Sequence, residues 1–217
     1  MNKNILQNID LPRIPKSLTK VEIIDEGFED EAWFELTFFD ECDFYSPRAE
    51  HVEFKQCYFK NVNLSEAKMR YVDLTDVVFE NCDLSNVDFS YGIIHRVSFV
   101  NCKMVGINLA ESTLQNVEIK LCSGDYSNFA FSHLKNIKFL DSSFNEVSFE
   151  GCRISKLFFN NIDMQRIDIS KSRMKEVDFS TCNIEGLIGS VADLEGIVVS
   201  PMQALSLSKL MGIIIKE

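Results

Sequence analysis

The chain has 217 residues, 46% hydrophobic and 25% charged, with a formal net charge of −11. That composition fits a globular chain of one sizeable or two small domains and argues against nucleic acid as a direct partner. No apolar run approaches the roughly 20 residues of a membrane helix, and MNKNILQNIDLPRIPK has no apolar signal core, so a cytoplasmic protein with reduced thiols is expected.

Residues 1–31 follow no repeat and are read as an N-terminal cap segment. LPRIPKSL suggests irregular backbone, and VEIIDEGFEDEAWFEL leads into the regular part with Phe28 or Trp33 as candidate plugs. Residues 22–53 hold twelve acids (Glu22, Asp25, Glu26, Glu29, Asp30, Glu31, Glu35, Asp40, Glu41, Asp43, Glu50, Glu53) against one base, Arg48, a net of −11 in this segment alone. Either this end is simply solvated or it docks a basic partner.

From Phe34 to Val199 every fifth residue is apolar, without a slip of register. Of 34 such positions, 31 are Phe, Leu, Ile, Met or Val, and the exceptions are Ala49, Gly124 and Gly189. The position two residues earlier is apolar or small, and all seven cysteines (Cys42, Cys57, Cys82, Cys102, Cys122, Cys152, Cys182) stand there. Steps of five scatter around a helix and alternate faces on a straight strand. The pattern closes only if the chain turns once per five residues, so that four sides make a square coil of 20. Coils then stack at about 4.8 Å with backbone hydrogen bonds between them.

Columns 20 residues apart support the square. Phe39, Phe59, Phe79, Phe99, Phe139, Phe159 and Phe179 form one core ladder, interrupted by Ile119. The cysteines read as small inward fillers, as buried free Cys behaves as a small hydrophobe. With no CxxC or HxxH, and with His51, His95 and His133 at outward positions, neither a metal site nor a cofactor is expected. Pro47 within SPRAE predicts a bulge, and Gly124 predicts a gap in the core unless a neighbour fills it.

Units such as CDLSN (82–86), VDFSY (87–91), VDLTD (72–76) and VDFST (177–181) resemble the A(D/N)LXX unit of the pentapeptide-repeat proteins, over residues 32–200. The resemblance implies an all-β solenoid, a right-handed quadrilateral β-helix of about eight 20-residue coils, with a short C-terminal helix. Length and layout look like the Qnr-type quinolone-resistance proteins, which bind DNA gyrase and topoisomerase IV. Residues 34–199 leave no room for excursion loops, so the likeness is to the loop-less Qnr-like proteins of Gram-positive bacteria.

SPMQALSLSKLMG (200–212) reads as a helix, with Ser200 as N-cap, Pro201 at its first position and Gly212 beyond its end. Residues 201–217 are read as a capping and dimerisation element, with Met202, Leu205, Leu210 and Met211 in the interface of a homodimer. IIIK after the helix predicts a strand-like tail.

The 20-residue frame puts Glu66, Asp83, Asp125, Glu146, Asp163 and Glu185 on one face, against Lys103 and Arg166. The opposite face carries Arg96, Lys135, Arg153, Lys156, Arg173 and Lys175. Regular polar positions are expected to face solvent, and no nucleophile–base pair or phosphate loop stands out, so an enzyme is not expected. Two readings remain: a DNA-mimicking protein that binds a type II topoisomerase through the acidic face, or a scaffold for another partner. DNA carries one charge per about 1.7 Å, far denser than one acid per coil.

Overall fold

A computed structural model describes residues 9–21, 27–44 and 47–216. The strands are β1 (Thr19–Val21), β2 (Trp33–Glu35), β3 (Thr37–Asp40), β4 (Glu53–Lys60), β5 (Asp73–Glu80), β6 (Ile93–Val100), β7 (Thr113–Lys120), β8 (His133–Ser143) and β9 (Arg153–Asp163). Helix α1 (Pro201–Leu207) follows, continued by a 3-10 turn at Ser208–Met211. All strand pairs are parallel, and from β2 onward each is in a 20-residue register, as in Phe59↔Phe79, Phe79↔Phe99 and Phe139↔Phe159. Isolated bridges on the other sides keep the same step, from Asp43↔Asn63 to Asp178↔Val198. The result is a parallel β-solenoid closed by one short helix.

The corners explain the period. One residue in five, two after each ladder position, has positive φ, as at Asn61 (53°), Asn81 (57°), Asn101 (52°) and Asn161 (54°). Left-handed backbone is tolerated by Asn, Asp and Gly and is costly for β-branched side chains. No Val, Ile or Thr stands at any of these positive-φ corners. Of the next four places in the series, Gly186 and Gly196 keep positive φ, while Thr181 and Val191 do not. The regular square therefore gives way to a different closure there, including a 3-10 turn at Val191–Leu194.

Inside, Phe39, Phe59, Phe79 and Phe99 are stacked at 4.4, 4.7 and 5.1 Å between centroids, with interplanar angles of 17° or less. Beyond Ile119 the column resumes as Phe139, Phe159 and Phe179, at 5.1 and 5.4 Å and more tilted. Burial of such a column is the main favourable term in the fold.

Several details depart from the sequence reading. Pro47 causes no bulge. The steps Asp43↔Asn63 and Arg48↔Lys68 are both 20, and the Pro47 carbonyl accepts the Lys68 N–H at 2.8 Å. Proline lacks a donor but keeps its acceptor, so one side of the ladder survives. Phe28 is the N-terminal plug, stacked on Phe44 at 4.6 Å and edge-on to Phe34, Phe39 and Phe54. Trp33 is exposed instead.

The solenoid ladder also starts earlier than residue 32: β1 pairs with β3 at Thr19↔Thr37, two residues short of the regular step. At the far end Ile213, Ile214 and Ile215 are exposed and form no strand, since no strand of the chain lies beside them. Not all regular polar positions face solvent, because Asp76, Asn116, Ser85, Ser90 and Ser98 are buried. Of the acid-rich segment, Glu22, Asp25 and Glu26 lie outside the described residues.

Candidate interaction surfaces

The six acids of the acidic face recur along one side of the rod, and their environments differ. Glu66 and Glu185 are exposed and make no ion pair among the described residues. Asp83 meets Lys103 at 3.1 Å and accepts the Ser85 N–H at 2.9 Å. Burial by itself would raise the Asp83 carboxyl, but those partners outweigh it and hold it below its ordinary value.

Asp125 is turned inward to its own rod, accepting from the Ser143 hydroxyl at 2.6 Å and the Asn145 N–H at 2.8 Å. Glu146 lies 3.8 Å from Arg166. Asp163 accepts from Gln165 Nε2 at 3.3 Å. The face thus holds a file of carboxylates at coil spacing, two of them faced by cations one coil away.

The opposite face is less uniform than the sequence frame suggests. Arg96 is engaged by Asp76 through two hydrogen bonds of 2.6 Å, and Asp76 also accepts the backbone N–H of Arg13 at 3.0 Å. The Arg13 carbonyl accepts from Gln56 Nε2 at 3.0 Å. The N-terminal segment is thereby strapped along this corner of the rod. Lys135, Arg153, Lys156, Arg173 and Lys175 are exposed and form no ion pair among the described residues.

At the C-terminal end, Ser200 caps α1 and Gln203 caps it reciprocally, with its Oε1 accepting the Ser200 N–H at 2.7 Å. Gln203 Nε2 also donates to the carbonyls of Phe179 and Cys182, at 2.8 and 2.7 Å. Those carbonyls belong to the last coil and would otherwise be open. Met202 is 72% exposed and Met211 59%, with Leu205 and Leu210 exposed beside them. The four residues read as an interface thus share an uncovered apolar surface, extended by Ile213–Ile215.

Residues 72–149 match the family model described as a pentapeptide repeat region. The chain carries a pentapeptide-repeat region. The repeat's corner geometry continues on both sides of it, from Glu31 to Glu176. No curated protein matches the chain significantly. Among solved structures, the rod is similar to a trypsin-treated variant of QnrB1, a plasmid-mediated fluoroquinolone resistance protein. Identity is 21% over 93% of this chain and 100% of that one, with a TM-score of 0.45. It is also similar to HetL of Nostoc sp. strain PCC 7120, a pentapeptide repeat protein involved in heterocyst differentiation regulation. There the identity is 12% over 81% and 92% of the two chains, with a TM-score of 0.45.

Within the rod the thiols form a ladder, not a reactive centre. Cys82, Cys102 and Cys122 each point their sulfur at a backbone carbonyl 23 residues earlier (Phe59, Phe79 and Phe99) at 3.5 Å. A hydrogen bond from Cys102 holds the Cys82 thiol below its ordinary value, against the effect of burial. The donor is a neutral thiol, not a base or a cation. The hydrogen bond with Cys102, and then burial, push Cys122 far up.

A shallow groove of about 780 Å³ runs past Asn101, Lys103, Leu121 and Asp141, with Cys102 and Cys122 at its floor. Among the described residues no cluster of His, Cys, Asp or Glu is arranged to hold a metal ion, and no helix is long and apolar enough to cross a membrane.

Proposed function

We propose that the chain acts by binding and not by catalysis, as a rod that presents carboxylates to the DNA-binding surface of a type II topoisomerase. In this reading it shields DNA gyrase or topoisomerase IV from quinolones. The observation that carries it is the file Glu66, Asp83, Asp125, Glu146, Asp163 and Glu185 on a rigid ladder. Exposed acids at the N-terminal coils (Glu29, Asp30, Glu31, Glu41, Asp43) extend it. A rigid array loses little entropy on binding, and a charged surface steers encounter with a basic cleft. In the same reading, residues 1–31 cap the rod, residues 32–200 are the binding body, and residues 201–217 join two copies through Met202, Leu205, Leu210 and Met211.

A second reading, a scaffold for a different protein partner, is favoured by one observation. Lys103 and Arg166 face two of the six acids, and Asp125 is spent on its own rod. The fold alone does not choose between the two, because one fold hosts many functions.

The deciding experiment titrates the protein into gyrase supercoiling arrested by a fluoroquinolone. Recovery at micromolar protein or below, weakened by salt and by Asp83→Lys with Glu146→Lys, is the expected result. No recovery, with unpoisoned gyrase also unaffected, rejects the topoisomerase reading and leaves the scaffold.

A further inference from the structure

We infer that the side of the rod bearing Glu53 and Asp73 near one end and Arg153 and Arg173 near the other is self-complementary, and that two copies of the chain pair along it, antiparallel. After Trp33, the first column of outward side chains on this side runs Glu53, Asp73, Ile93, Thr113, His133 and Arg153, each in backbone register with the next. Arg173 follows at the next 20-residue step. All are exposed except Asp73, which is half-buried. The order is acid, acid, apolar, neutral, then three basic or imidazole side chains. Neither the acids nor the arginines of this column have an ion-pair partner among the described residues.

Because every coil has the same rise, two such columns laid antiparallel match at every step. A two-fold axis at Thr113 sets Glu53 against Arg173 of the second copy and Asp73 against its Arg153. Ile93, which is 53% exposed, then lies against His133 of the second copy. Each contact occurs twice by symmetry, and the interface closes as an isologous pair. A parallel arrangement would instead set acid on acid and base on base.

The second outward column runs Lys55, Thr75, His95, Gln115, Lys135, Ser155 and Lys175. Over residues 55–175 its one like-charge match is Lys55 against Lys175, and Lys55 is already held at 2.8 Å by Glu35, which precedes it in register. The N-terminal strap is tied to Gln56 and Asp76 at the corner beyond these columns. The C-terminal apolar surface is elsewhere on the molecule, so this pairing is independent of the proposed end-to-end dimer and of any topoisomerase.

The test is sedimentation of the full chain carrying Leu205→Glu, a change outside this face made to suppress end association. Self-association at about 0.02 M salt that disappears by about 0.5 M is expected for exposed ion pairs. Asp73→Arg alone and Arg153→Asp alone should each weaken it at least about tenfold, since each creates two like-charge contacts. An equimolar mixture of the two single variants should recover it as a heterodimer, because all four contacts become opposite in charge. All these residues are exposed or half-buried, and unchanged melting temperatures check that the variants fold.

Three outcomes overturn the inference: no association at low salt, no effect of either reversal, or no recovery in the mixture. Loss with Arg153→Asp but not with Asp73→Arg also overturns it, and assigns the basic end to some other acidic group.

Discussion

Gly124 is where one missing side chain is supplied by another. A Cβ placed there would lie 2.1 Å from the Phe144 ring, so the phenylalanine one coil on fills the space that glycine leaves. The gap expected from the sequence is closed by its own column. Asp76 is the other residue whose role depends on a neighbour one coil away. It is 5% exposed, sits at a positive-φ corner, and is bound by Arg96 and by the Arg13 N–H. Burial alone would raise its carboxyl, but the Arg96 hydrogen bonds and the Arg13 N–H prevail and hold it below the ordinary range.

A depressed carboxyl contributes stability that is fully present above its unfolded value, about 3.9, and is lost as pH falls through its folded value. Asp76→Asn keeps a side chain that tolerates left-handed backbone, so its effect reports the charge and not the corner. It should cost about 3 kcal/mol at pH 7, as for removing one partner of a largely buried pair. The gap between wild type and variant, followed by urea denaturation, should stay constant above about pH 5 and narrow below about pH 4. A gap independent of pH down to acid unfolding would show that the ion pair is not the source.

At the scale of elements, the repeating coils and the capped C-terminal helix were legible in the sequence, and the N-terminal end was not. A strict five-residue period over 34 positions admits one geometry, because any slip would turn Phe79 or Phe99 outward. Strand β1 was invisible because its step to β3 is 18 residues, outside that period. Phe28 and Trp33 were equal candidates by hydrophobicity, and only the packing of four phenylalanines around Phe28 separates them. On the candidate surface, the acids were assigned by position, but the inward turn of Asp125 toward Ser143 and Asn145 depends on side-chain torsions that no spacing encodes.

Gln203 was likewise read only as a helix residue, whereas it closes both α1 and the last coil. Gln203→Ala opens two coil carbonyls and one capping contact, and should cost about 2 kcal/mol. Hydrogen exchange should quicken first in residues 177–200, while β5 to β7 stay protected, since solenoid coils depend mainly on their neighbours. Uniform acceleration along the rod would contradict a local role.

The whole molecule is a stack with two unlike ends, and α1 sets one face on the last coil and leaves the other in water. Gln203 and Leu207, one helical turn apart, face the last coil, and Leu207 packs against the core. Met202 and Leu205 point away from it and are exposed, with Leu210, Met211 and the Ile213–Ile215 tail beside them. Each large apolar side chain left in water forgoes about 1.5–3 kcal/mol of burial, and a patch of this extent at the tip of an otherwise polar rod is the feature a second copy would cover.

If the patch only sealed the rod, Met202→Lys with Leu205→Glu would lower the melting temperature and leave the mass unchanged. If it joins two copies, the pair of substitutions should halve the sedimenting mass at high salt, where the side-by-side ion pairs are screened. The rod's own stability in denaturant should then be preserved at low protein concentration, because neither side chain touches the core. The two results separate on one instrument, and the dimeric outcome would place two rods of about 40 Å each end to end, a span of about 80 Å over which the acidic faces act together.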